Sequence, residues 1–211
     1  MRTLIYIPIV HTQADMGGLR EPIRRATVEK LGEEGWTHNI RAIDRFWDRI
    51  SQKIRGWDLP YARVRLYQDG LPVCGREVDI VNDLASVGSR NHQLLLYLME
   101  KGAILMGTES PELLLEEYGL IQQVLGRNDP KGEARMETQQ KALSRRLLER
   151  RDRYIAERID ASLCPGETGM LFLGMLHSLE GLLARDVRVS YPFHLRARRV
   201  GARAPLRRGK P

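Results

Sequence analysis

Three polar residues in this chain share one local setting. His11 follows the apolar run Thr3–Val10, Glu109 follows Ala103-Ile104-Leu105-Met106 across Gly107-Thr108, and His177 follows Leu171-Phe172-Leu173-Gly174 across Met175-Leu176. Short apolar runs bounded by glycine or turn residues read as buried strands. If those strands are parallel neighbours in one sheet, their carboxyl ends bring two imidazoles and a carboxylate together, where α/β proteins gather ligands. His11, His177 and Glu109 would then form a ligand set for a divalent ion such as zinc, manganese or cobalt, with positions left for water. Such an ion lowers the pKa of bound water to about 7 in favourable sites, and the resulting hydroxide attacks a carbonyl. Arg151 could stabilise the oxyanion or a substrate carboxylate, because its planar fork is permanently charged. Asp15 and Asp69 stand where they could join the same rim.

Each residue also has a simpler account. A strand-end histidine is commonly a hydrogen-bonded structural residue, and Glu109 could be a first-turn acid favoured by a helix dipole. Arg151 and Asp152 could form an exposed ion pair worth little. His38, His92 and His194 have no supporting context. Gly17-Gly18 belongs to no phosphate-binding loop, because neither a P-loop lysine nor spaced dinucleotide glycines accompany it. A Gly-x-Ser-x-Gly elbow is also missing, which argues against the usual α/β serine hydrolase.

The elements that must position these residues alternate between strand and helix. Thr3–Val10 reads as a strand, and Pro8 within it suggests an edge position or a bulge. His11–Leu19 reads as a loop, Arg24–Glu33 as a helix, and Trp36–Ile54 as a second helix with apolar residues near a 3.6-residue period. Arg63–Tyr67 alternates as a strand and meets the turn Gln68-Asp69-Gly70. Arg76–Leu84 and Arg90–Lys101 are helical, the latter stopped by Gly102. Ser110 before Pro111 caps a helix through Glu112–Leu125. A polar loop over Gly126–Glu133 precedes a long helix, Thr138–Leu163, with Leu148, Asp152, Ile155 and Ile159 on one face. Ser178–Ala184 fits a short helix, and Val187–Tyr191 a last strand. The expected fold is α/β: one domain over residues 1–193, a mostly parallel central sheet flanked by helices, and a basic tail over residues 194–211.

Composition narrows the class. The chain has 211 residues, 42% hydrophobic and 29% charged, as in an ordinary globular protein. Its net charge is +7, from 34 basic and 27 acidic residues. Seven of the basic ones, from Arg196 to Lys210, lie in the tail, so residues 1–193 carry 27 of each sign. The tail has no helical or strand period and is expected to be disordered beyond Val200. Its charge suits non-specific contact with nucleic acid, although it lacks the aromatic residues that single-strand binders interleave. The longest apolar runs fall well short of the roughly 18 residues a membrane span needs, and Leu4–Val10 is followed by no signal-peptide cleavage pattern. Cys74 and Cys164 lie far apart and read as two free thiols in a reducing, cytoplasmic setting.

Taken together, the motif order resembles the TraB/Tiki group, which belongs with the erythromycin-esterase-like and ChaN-like proteins. Gly107-Thr108-Glu109-Ser110 matches that group's glycine–glutamate segment, and Glu149-Arg150-Arg151-Asp152-Arg153-Tyr154-Ile155-Ala156 its arginine-bearing helix, with Asp152 where asparagine is usual. Gly174-Met175-Leu176-His177 matches the closing Gly-x-x-His, and Leu182–Val189 the return from helix to strand. The opening motif departs, with Pro8 in the glycine position before His11. The resemblance implies an α/β fold whose histidines and glutamate line one pocket, and an activity like that of metal-dependent peptidases or of esterases.

The leading expectation is therefore a metal-dependent hydrolase acting on an amide or ester of a small molecule or peptide. His11 and His177 would bind the ion, Glu109 would be a third ligand or general base, and Arg151 would orient substrate. The alternatives are a non-catalytic binding or regulatory protein of the same fold, and a nucleic-acid-associated protein acting through its tail. Homo-oligomerisation through apolar contacts is a further expectation.

Overall fold

The computed structural model describes residues 1–125 and 133–193, with the backbone alone described at 124, 125 and 133–139. The polar loop expected over Gly126–Glu133 and the basic tail, with His194, thus fall wholly or largely outside the described residues.

Five strands form one all-parallel sheet: β1 (Arg2–Ile9), β2 (Val64–Gln68), β3 (Ile104–Met106), β4 (Thr168–Gly174) and β5 (Val187–Ser190), in the order β3-β2-β4-β1-β5. The helices are α1 (Arg20–Arg55), α2 (Glu77–Ser86), α3 (Arg90–Glu100), α4 (Pro111–Leu125) and α5 (Glu133–Ser162). Along β1, Ile5, Ile7 and Ile9 face one core and Leu4 and Tyr6 the other, while in β4 Met170 and Phe172 alternate with Leu171 and Leu173. Burial on both faces is why these strands read as unbroken apolar runs. The first core lies beneath α1 and α3, through Trp47, Ile50, Ile54, Leu94, Leu95 and Leu98, with Val81 of α2. On the second, α5 presses Ile155 and Ile159, with Leu163 just past its end, against Leu4, Tyr67 and Leu171.

Several sequence expectations change in the folded chain. The two helices expected over 24–33 and 36–54 are one element, α1, interrupted at Gly32, whose φ of 73° only glycine adopts comfortably. β1 is not an edge strand, since β4 and β5 flank it. However, β5 pairs only with Arg2–Ile5, so at Pro8 the strand has a neighbour on the β4 side alone. A proline is tolerated there for the same reason as at an edge. Residues 13–19 are a 3₁₀ segment rather than an irregular loop. The helix expected at Ser178–Ala184 does not form, and a chain of turns joins β4 to β5. Its backbone is held from outside: Ser178 N–H donates to Asp152 Oδ2 (3.1 Å) and Ala184 N–H to Asp160 Oδ2 (3.2 Å), both on α5. Ser110 caps α4 as expected, accepting from Leu113 N–H (3.2 Å). Among the described residues no helix is long and apolar enough to cross a membrane.

The strand order creates a switch point. From β1 the chain leaves toward β2 by way of α1, whereas from β4, its sheet neighbour, it leaves the other way toward β5. The crevice between the carboxyl ends of two such strands is where open α/β sheets bind ligands.

Candidate functional site at the carboxyl rim

Every residue of interest lies just past a strand. His11 is two residues beyond β1, Asp69 one beyond β2, Glu109 three beyond β3, and His177 three beyond β4. Because the strands are parallel, all four stand at one rim, and α5 crosses behind them carrying Arg151 and Asp152. Sequence order alone placed Asp69 among the minor members. In the structure it is the hub.

Arg151 is the centre of the charges. Its Nε donates to Glu109 Oε2 (2.6 Å), and its Nη2 to Glu109 Oε1 (2.6 Å) and Asp69 Oδ1 (2.8 Å). Its Nη1 donates to Glu117 on α4. Only 5% of the Arg151 side chain is exposed, with Glu109 at 1% and Asp69 at 5%. Four of its five N–H donors are therefore spent on protein carboxylates, so Arg151 holds the rim acids and leaves little with which to hold a substrate. The exposed Arg151–Asp152 pair weighed from sequence is not formed, since both residues are buried and bond elsewhere. Backbone amides complete the acids: Gly70 N–H donates to Glu109 Oε1 (2.7 Å) and Gly174 N–H to Asp69 Oδ2 (2.9 Å).

The two imidazoles flank Asp69, His11 half-exposed and His177 buried at its side chain. His177 Nδ1 is 2.6 Å from Asp152 Oδ1, which places the proton on Nδ1 and leaves Nε2 directed toward Asp69 Oδ1 at 3.6 Å. His11 Nε2 lies 3.9 Å from Asp69 Oδ2, and half of its side chain is exposed. Tyr6 on β1 donates its hydroxyl to the carbonyls of Leu173 and Gly174, at 3.3 Å each.

Electrostatics follows from burial and from these pairings. Burial pushes His177 down, but the bond to Asp152 and the charge of Asp69 outweigh it and raise its pKa above the usual histidine value. Burial pushes Asp69 up, yet His177, Arg151 and His11 together hold it below the usual carboxylate range. Glu109 is raised, by burial first, with the Asp69 charge adding against the pull of Arg151. The two acids share one guanidinium and titrate as a pair. Burial pushes Tyr6 up to about 12, with the charges of Asp69, Tyr191 and Asp152 behind it, so its hydroxyl stays a donor at physiological pH.

Geometry answers the metal expectation at the level of the donors. His11, Glu109 and His177 do share the rim, but both Glu109 oxygens are taken by Arg151, a fixed cation standing where an ion bound to Glu109 would be. Among the described residues no group of three His, Cys, Asp or Glu side chains is arranged to hold a metal ion. The residues present, as arranged here, do not fit the three-residue ligand set expected from the strand ends. Asp15, expected near the rim, is engaged elsewhere: its carboxylate accepts from Thr12 N–H (2.5 Å) and from the buried Ser89 hydroxyl, beside His92. His92 is thereby a hydrogen-bonded core histidine, 2.6 Å from Ser89 Oγ through Nδ1.

Two further members of the site have a signal in the sequence. Asp152 is an acid inside an apolar helix stripe, between Leu148 and Ile155, a position that needs a buried partner. Gly174 closes β4 because a Cβ there would lie 2.8 Å from Asp69 Oδ2, so only glycine lets its own N–H reach that carboxylate.

Two cavities open at the rim, one on each sheet face. A cavity of about 400 Å³ lies between the 13–19 segment, α1 and the α2–α3 turn, with His11 in its wall. A cavity of about 640 Å³ lies under the connection from β4 to β5, with His177 in its wall. Comparison with known proteins returns no match for this chain, neither a family model nor a curated protein nor a solved structure.

Proposed function

We propose that the carboxyl rim is a hydrolytic acid–base site acting on an ester or amide bond, with His177 as its proton carrier. The observation that carries this reading is the pair His177–Asp152: a carboxylate fixes the imidazole tautomer at 2.6 Å and leaves the second ring nitrogen on the rim side. In its neutral form His177 accepts a proton at Nε2 from a water molecule, whose oxygen bonds to the acyl carbon. The acyl carbon–heteroatom bond then breaks, and the proton passes to the leaving oxygen or nitrogen. His11, half-exposed beside the other oxygen of Asp69, is the second imidazole at the same rim. Asp69, Glu109 and Arg151 are positioning residues in this reading: they hold a fixed charge pattern against which the two imidazoles are set. The order of motifs shared with the TraB/Tiki group supports the same reading, and membership of that group is part of the proposal.

The test is a panel of 4-nitrophenyl esters and peptide anilides offered to the full chain, its His177→Gln variant and its Asp152→Asn variant, with elemental analysis of each preparation. The expected result is turnover in the native chain and a loss of at least 100-fold in His177→Gln. Asp152→Asn should displace the acid limb of the kcat/KM profile toward lower pH, because the bond that raises the imidazole pKa is gone. Manganese, zinc or cobalt present in stoichiometric amount, and lost with His177→Gln, would replace this reading by the metal-dependent one. Absence of turnover across the panel would favour a binding protein built on the same rim.

A further inference from the structure

The connection Met175–Asp186 leaves a gap that the mechanism above does not use. α5 packs its apolar stripe on Tyr67, Leu171, Leu173 and Leu4, but among the described residues no helix lies over the β1–β5 side of that face. The expected helix would have covered it. Instead the turns spanning 175–186, held by Asp152 and Asp160, border a partly open cavity of about 640 Å³ beside the strands. That volume is in the range of pockets that bury a small organic ligand.

The wall of this cavity combines apolar side chains of β1, β4, β5 and the connecting turns with polar side chains of those turns. Leu4, Leu171, Leu183, Val187 and Val189 form its floor and sides. The rings of Tyr6 and Tyr191 stand beside it with centroids 5.4 Å apart at 41°. The Tyr6 hydroxyl is already committed to strand carbonyls. The buried side-chain polar atoms without a partner among the described residues, Gln68 Oε1 and Asn91 Oδ1, belong to residues outside this wall. No buried side-chain polar atom in this wall is therefore left without a partner among the described residues. The exposed residues Ser178, Glu180 and Arg185 stand at its mouth, and His177 lines it too.

We infer that this cavity is an acyl subsite, and that the substrates cleaved at His177 are esters or amides of medium-chain aliphatic acids. The inference rests on the hydrolytic reading of His177 for its chemistry, but the cavity binds the chain whether or not the rim is catalytic. An apolar acyl chain inserted past His177 leaves its carbonyl carbon at the mouth, within reach of the imidazole, and its leaving group in solvent. Acids too short to reach Leu183 and Val189 forgo the burial that holds the chain.

The experiment pairs turnover with binding on the full chain. Rates are measured on 4-nitrophenyl acetate, butyrate and octanoate, and saturable binding of sodium octanoate is followed by isothermal titration. The same measurements are made on Leu183→Trp and Val189→Phe, two cavity-filling variants on different elements, with circular dichroism melting to confirm folding. Burial of each methylene contributes up to about fourfold, so kcat/KM should rise at least tenfold from acetate to octanoate. In either variant that preference should collapse toward unity and octanoate binding should weaken at least tenfold. Octanoate binding that the variants remove, without turnover of any ester, would sustain the subsite and refute the hydrolytic reading. Turnover that ignores chain length, or octanoate binding that is absent or unchanged in a folded variant, would overturn the subsite and leave the hydrolytic reading in place.

Discussion

Replacing Arg151 by Met tests the charge architecture of the rim most directly. The substitution keeps much of the aliphatic volume and removes a cation that makes two 2.6 Å bonds to Glu109 and one of 2.8 Å to Asp69. Both acids remain buried, with one backbone amide each. Breaking a buried pair by deleting one partner leaves an uncompensated charge and typically costs about 3–5 kcal/mol. For a urea m-value of about 2 kcal/mol per M, the unfolding midpoint should fall by about 1.5–2.5 M at pH 8. The loss must also depend on pH in a stated direction. Without Arg151 the Glu109 pKa rises further above its unfolded value, so the native state binds the extra proton and the variant regains stability as pH falls. The double variant Arg151→Met with Glu109→Gln should be more stable than the sum of the single changes predicts, by at least about 1 kcal/mol. Urea titrations at pH 5.5 and 8 measure all of these quantities. A loss below about 1 kcal/mol, the range of exposed pairs, or additive singles, would refute a central buried network.

Two further substitutions probe the supports of that network. Gly174→Ala forces a Cβ to within 2.8 Å of Asp69 Oδ2; it should cost about 1–3 kcal/mol and alter the NMR titration of His177, whereas an unchanged melting curve and titration would show that the close approach is not needed. Asp15 is buried, but its bonds from His92, Ser89 and Thr12 outweigh burial and bring its pKa down to about 2. It therefore contributes about 2 kcal/mol that is fully present above its unfolded pKa and lost as pH falls through the folded one. In Asp15→Asn the acid unfolding curve between pH 4 and 2 should flatten correspondingly, and equal slopes in variant and native chain would exclude this role.

The local elements of this protein were legible because each is written in a local pattern. Doubly buried strands read as short apolar runs, α1 kept its 3.6-residue apolar period past the glycine break, and Ser110-Pro111 announced the start of α4. The same patterns placed His11, Glu109 and His177 at strand ends, and the folded chain does bring them to one rim. Where expectation and structure part, a long-range contact outweighs a local preference. Ser178–Ala184 has a helix-compatible sequence, but two acids on α5 capture its end amides, and turns form instead. Pro8 suggested an edge, and strand order alone made it tolerable at the far end of an inner strand.

Which partner each charged residue takes belongs to tertiary structure. The sequence by itself determined an α/β alternation, the two apolar faces of the strands, and a set of polar groups at strand termini. Only the order β3-β2-β4-β1-β5 inserts Asp69 between Glu109 and the two histidines, and only the seat of α5 across that rim delivers Arg151 to the acids and Asp152 to His177. The physical reason is distance along the chain. Hydrogen bonds spanning 25 to 82 residues, such as His177–Asp152 and Arg151–Asp69, leave no periodic trace in sequence. Burial at the rim then converts these pairings into a defined proton position on a single imidazole.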